Sequence, residues 1–189
     1  MVIAKEDQMT ISYNEIIKFW FEEITPEQMW SKDVKFDALI AQRFGDVHEK
    51  AIRGELGSWR ANALGTLAEI IILDQFSRNI YRDTPAAFAN DALALKLAEE
   101  AIEKNYDKEI DISFLSFLYM PFMHSESSEV HKRAVEIFNQ KGLEGAYQFE
   151  LKHKVIIDRF GRYPHRNKIL GRESTAEEIV FLREPDSSF

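Results

Sequence analysis

Fourteen residues near the C-terminus, RFGRYPHRNKILGR at 159–172, hold Arg159, Arg162, Arg166, Lys168 and Arg172 with His165 and no acidic side chain. Arginine's planar fork pairs bidentately with carboxylates and phosphates, so the stretch suits an anion, and Asn167 adds a neutral hydrogen-bonding amide. The same composition also suits a solvated basic loop. A second stretch, DQFSRNIYR at 74–82, places Asp74, Gln75, Arg78, Asn79 and Arg82 within roughly 140° of one another at the helical turn angle. Read without function, it is an amphipathic helix emerging into solvent with an Asp74–Arg78 pair. In the third, MPFMHSE at 120–126, Pro121 disturbs a helix just before His124 and Glu126, two groups able to do acid–base work. Their spacing of two would point them apart on a helix. His153, one turn before Ile157, reads as a partly buried, hydrogen-bonded histidine, and His48 and His131 read as surface residues.

Several chemistries have no residues to perform them. The chain contains no Cys, which removes disulfides, thiolate zinc sites and cysteine nucleophiles. There is no G-x-S-x-G, Walker loop or dinucleotide fingerprint, no His-Asp dipeptide, and HEKAI at 48–52 lacks the second His of a zincin. A metal set of His124, Glu126, His153 and His165 is weakly supported, so neither metal nor cofactor is expected. The net charge of −8 argues against nucleic acid and anionic membranes as partners. No apolar run approaches the ~20 residues of a membrane span, and charges occupy the N-terminal stretch where a signal peptide needs apolar residues. A cytoplasmic location is expected.

The elements that position these groups read as helices. At 189 residues and 45% hydrophobic content, with 14 Phe against 8 Gly and 5 Pro, the chain suits one helical domain spanning 1–189. Start signals stand at Ser12 with Glu15, Thr25 with Pro26 and Gln28, Ser58, Thr84 with Pro85, and Ser174 with Glu177. Stops stand at Gly54, Asn105, Gly142 and Gly161. They predict about eight helices, near 13–23, 34–53, 59–82, 85–104, 113–123, 127–140, 144–160 and 175–183. Phe36, Ile40, Phe44, Val47 and Ala51 form one apolar stripe. ALALKLAEEAIEKNYD at 92–107 has the small-residue spacing of a tetratricopeptide packing helix without a regular 34-residue repeat, so irregular helical hairpins are predicted.

DQFSRNIYR, MPFMHSE, and His153 with RFGRYPHRNKILGR together resemble the bacterial domain of unknown function 924 family. So do FWF at 19–21, FDALIAQRF at 36–44, AFANDALAL at 87–95 and STAEE at 174–178. The resemblance implies an all-α fold of the tetratricopeptide-like type, a right-handed superhelix, and no established activity. It matches the family pattern at Asp74, Gln75, Arg78, Asn79, Arg82, Asp91, His124, Glu126, His153, Arg159, Gly161, Arg162, Pro164, His165, Arg166, Asn167 and Arg172; His131 departs from it. Polar residues recurring in three separate segments suggest either a structural ion-pair network or a ligand site. Arg78, Arg82, Arg159, Arg162, Arg166 and Arg172 outnumber Asp74, Asp91, Glu126 and Asp158 by two, and a converging surplus would call for an anion.

Three function classes follow. The leading expectation is a cleft that binds an anionic small molecule or peptide through a carboxylate or phosphate, using the family-matched polar residues of the three segments and His153. The second is a metal-independent hydrolase of an anionic small molecule, with His124 or His165 as general base, oriented by Glu126 or Asp74. Neighbouring arginines should depress the pKa of His165 and keep it neutral. The third is RNA binding through the interleaved Arg159, Phe160, Arg162, Tyr163 and Arg166.

Overall fold

Capping chemistry determines where the helices begin in a computed structural model of the chain, which describes residues 11–185, 187 and 188. The first ten residues, on which the reading against a signal peptide rests, lie outside that range. Ser12 opens α1 (Tyr13–Lys18), with its N–H held by Glu15 at 2.8 Å, and a π-helical turn, Phe19–Glu23, continues it. Thr25 and Gln28 cap α2 (Pro26–Trp30) reciprocally, and Asp33 caps α3 (Val34–Ile52). Ser58 is not a cap. It lies in a 3-10 turn, Gly57–Ala61, and Asn62 instead receives the Gly65 N–H at 2.9 Å to start α4 (Ala63–Ile71).

From Ala63 to Ile80 the helical course is unbroken but not uniform, because a π-helical turn, Ile72–Phe76, joins α4 to α5 (Ser77–Ile80). The helix expected over 85–104 is a 3-10 turn, Pro85–Phe88, followed by α6 (Asp91–Glu103). Then come α7 (Ile112–Met123), which carries Pro121 inside it, α8 (Ser128–Phe138) and α9 (Glu144–Phe160). The last helix, α10 (Ala176–Phe181), starts one residue later than the Ser174–Glu177 pair implies. Its reciprocal cap is Thr175 with Glu178, whose Oε2 takes the Thr175 N–H at 2.7 Å. Every stop read from the sequence has a left-handed backbone: φ is 72° at Gly54, 61° at Asn105, 95° at Gly142 and 67° at Gly161.

The described residues contain no strand. The stripe Phe36, Ile40, Phe44, Val47 and Ala51 is buried and packs with Phe19, Trp20, Leu67, Phe76 and Phe122 in the larger apolar cluster. Successive helices α6, α7, α8 and α9 each contact the next, while α4 touches α1, α6 and α7. That central place explains why every residue of α4 but Leu64 is buried, Glu69 included, its carboxylate clamped by both arms of Arg60 at 2.7 Å. A smaller cluster of Ile156, Ile157, Tyr163 and Phe181 ties the loop after α9 to α9 and α10. No described helix is long and apolar enough to cross a membrane.

Candidate functional site

The π-helical turn between α4 and α5 carries Asp74 and Gln75 into the protein, leaving Asp74 1% exposed. Such turns change the phase of a helix by about one residue and recur at functional sites. Asp74 Oδ1 lies 2.7 Å from His124 Nδ1, and Gln75 Nε2 donates to Oδ2 at 2.5 Å. Arg78 Nη1 donates to the Asp74 carbonyl at 2.7 Å and lies 3.2 Å from Oδ1. Burial alone would raise the Asp74 carboxyl, but the Arg78 charge and the hydrogen bonds from His124 and Gln75 hold it well below the usual carboxylate range. His124 moves below its ordinary 6.5, through burial first and Arg78 second, against the pull of Asp74. An ionised carboxylate facing a neutral imidazole places the ring proton on Nδ1.

Asp91, at the first position of α6, joins the 74–82 stretch to the C-terminal 159–172 stretch. Arg78 grips it with two arms, at 2.9 and 3.1 Å, and Arg166 Nη1 reaches its Oδ2 at 3.2 Å. The Arg166 guanidinium sits 4.6 Å from the centroids of both Phe88 and Tyr163, is 6% exposed, and has an Nε with no hydrogen-bond partner among the described residues. Its charge is therefore compensated mainly by two aromatic faces and one long bond to a shared carboxylate. Glu126, clear of the helix because α7 ends at Met123, accepts from both arms of Arg172 at 2.6 and 2.9 Å and from the Tyr163 N–H at 2.8 Å. These bonds outweigh burial and lower its pKa.

These groups meet at a pocket of about 380 Å³. Asp91, His124, Ser125, Glu126 and Arg166 supply its polar wall, and Pro85, Phe88, Ala89, Ala92, Leu95, Pro121 and Leu170 its apolar one. His124 and Glu126, which a continuous helix would point apart, line it together because the chain leaves the helix between them. His165 is half-buried outside the pocket lining, and its pKa falls to about 4. The direction agrees with the sequence expectation; the larger cause is burial, with Arg166 second.

Other predicted site residues go elsewhere. Asn79 and Arg82 both turn to Asp37 of α3, Arg82 at 2.5 and 2.7 Å and Asn79 at 2.8 Å, so the polar arc of 74–82 serves two neighbours. Arg159 pairs with Glu177 at 2.8 Å, and Arg162 with Glu178 at 2.7 and 2.8 Å. Asn167 is fully buried, accepting from Arg172 Nε and donating to Ser174 and Glu178, a brace for the loop. His153 is nearly buried, with Nδ1 2.7 Å from the Phe149 carbonyl and a pKa lowered by burial to about 3. The interleaved arginine and aromatic residues do not make one exposed face, since Tyr163 is fully buried with Arg166 against it.

The surplus of two arginines is overturned. Asp158 pairs with Lys154, but Asp37, Glu177 and Glu178 join Asp74, Asp91 and Glu126, giving six carboxylates for the six arginines. Asp37, Glu177 and Glu178, on α3 and α10, are not among the four carboxylates that the sequence sets against the six arginines. His48 and His131 are also not surface residues, at 1% and 0% exposure. His48 Nε2 meets Ser77 Oγ at 2.8 Å, and His131 Nδ1 meets Glu150 Oε1 at 2.7 Å. Sequence reasoning also missed Phe88, Ser125 and Leu170 as lining residues. Phe88 stands in the family-like AFANDALAL, but no spacing signal marked any of the three. The described residues place no three His, Asp or Glu side chains where they could hold a metal ion.

The profile of a family described as "Bacterial protein of unknown function (DUF924)" matches residues 16–186. The solved structure of a protein of unknown function from Agrobacterium tumefaciens is 38% identical. The match covers 90% of this chain and 96% of that one, with a TM-score of 0.85. No curated protein matches the chain.

Proposed function

The chain belongs to the DUF924 family of bacterial proteins of unknown function, and on that footing we propose that its pocket binds a small molecule bearing a single carboxylate on an apolar body. One observation carries the reading: Arg166 lines the pocket almost wholly buried, with a single long ion pair. A buried guanidinium gains most from a partner that completes its hydrogen bonds, each charge-assisted bond contributing roughly 1.5–3 kcal/mol. The Asp91 and Glu126 carboxylates on the same wall favour a monoanion over a doubly charged phosphate. Phe88, Leu95, Pro121 and Leu170 give an apolar body somewhere to lie, and the volume falls within the roughly 300–1,000 Å³ typical of small-molecule sites.

Octanoate and benzoate are therefore expected to raise the melting temperature of the purified protein in a concentration-dependent way. Arg166→Gln should remove the effect, whereas Arg159→Ala and Arg162→Ala, at pairs outside the pocket, should leave it in place. Absence of any shift with either acid at millimolar concentration would overturn the proposal.

A further inference from the structure

We infer that the pocket hydrolyses carboxylic esters, with His124 taking a proton from water while Arg166 holds the carbonyl oxygen. The inference rests on the binding reading above and deepens it: the bound carboxylate becomes the product of the reaction.

Geometry assigns the roles. His124 has committed Nδ1 to the buried Asp74 at 2.7 Å, and Gln75 and Arg78 fix that carboxylate in turn. The Nδ1–H tautomer leaves Nε2 with a lone pair, and no described residue hydrogen-bonds it. Because His124 lines the pocket, that lone pair is available to a water beside the ligand. Burial keeps the imidazole neutral, the form a base requires. Arg166 lines the same wall and would be the donor to a carbonyl oxygen acquiring negative charge.

The step balances without a further reagent. As Nε2 takes one water proton, the hydroxyl oxygen bonds to the carbonyl carbon and the π electrons move onto the oxygen beside Arg166. When the tetrahedral adduct collapses, the carbon–alkoxy bond breaks and the alkoxide takes the proton from Nε2. The acid loses its proton to solvent and is left as a carboxylate on Arg166. Asp74 is a positioning residue, fixing the tautomer and orientation of the ring.

Release of nitrophenolate from p-nitrophenyl butyrate and octanoate by the full chain tests this. Turnover by the wild type is expected, and His124→Asn, whose amide preserves a donor to Asp74, should lower kcat at least ~100-fold. Octanoate should still raise the melting temperature of that variant. Asp74→Asn should lower kcat with little effect on KM and alter the pH profile of kcat, and Asp74→Glu should restore part of the rate. If octanoate stabilises both proteins but the wild type is no faster than His124→Asn, hydrolysis is overturned while binding stands. If octanoate stabilises neither, the binding reading itself fails. Should His124→Asn not fold, wild-type kcat/KM as a function of pH decides: a fall on the acid side supports the base, and a flat profile overturns it.

Discussion

His131 and Glu150 meet with both side chains fully buried, so their protonation is a structural question. His131 Nε2 lies 2.8 Å from the Ser125 carbonyl, an acceptor, and must donate. Nδ1 then either accepts from a neutral Glu150 or donates to an ionised one. Burial holds the Glu150 carboxyl above the usual carboxylate range, and its Oε2 is buried without a partner, which would be costly for an anion. The neutral form follows, and it predicts that Glu150→Gln lowers stability by less than ~1 kcal/mol in urea denaturation, because a carboxamide donates to Nδ1 equally well. A loss of ~3 kcal/mol or more would mean that an imidazolium had been stranded and that the pair is ionic. At this scale the sequence was legible in part. Residue types and the three segments marked Asp74, Arg78, His124, Glu126, Arg166 and Arg172 among the candidate site residues, but not that these six would come together. Partners were not legible, because an ion pair between distant segments leaves no periodic trace. Thus Asp37, Glu177 and Glu178 were invisible as counter-charges, and a histidine on a polar-looking helix face gave no sign of burial against Glu150.

Among the elements, α4 shows how a local rule reverses under packing. A helical Gly→Ala change ordinarily stabilises by about 1 kcal/mol. At Gly65 the added Cβ would lie 2.1 Å from the Trp59 carbonyl oxygen, so backbone must move. Gly65→Ala should therefore lower the melting temperature, and a rise would show that the 3-10 turn before α4 yields freely. The longer helices were legible, since left-handed stops and caps are local chemistry, but the short α2 was not among the predicted helices. Breaks within helical patterns were not legible. The stretch 59–82 reads as one helix because its apolar spacing never lapses, yet it contains a 3-10 turn, a new cap at Asn62 and a π-helical turn. That π-helical turn also explains the divided arc of 74–82: a face projected at one constant angle does not stay one face across it, so Asp74 meets His124 while Arg82 meets Asp37.

For the molecule as a whole, the six-by-six pairing of arginines and carboxylates has a kinetic consequence. Each of these six arginines is already matched by a nearby carboxylate, and such pairs cancel beyond a few ångströms. What an approaching carboxylate feels is the net charge of −8, which is repulsive. Salt shortens the reach of that repulsion, with a Debye length of about 30 Å at 0.01 M falling to about 8 Å at 0.15 M, and barely touches the buried contact at Arg166. Stopped-flow mixing with octanoate should therefore show association speeding up as ionic strength rises, the reverse of a site that advertises its arginines. A slowdown would mean that an unmatched positive field reaches the pocket mouth. Capture here is by encounter and desolvation, and selectivity among anions is exercised only after the ligand has entered.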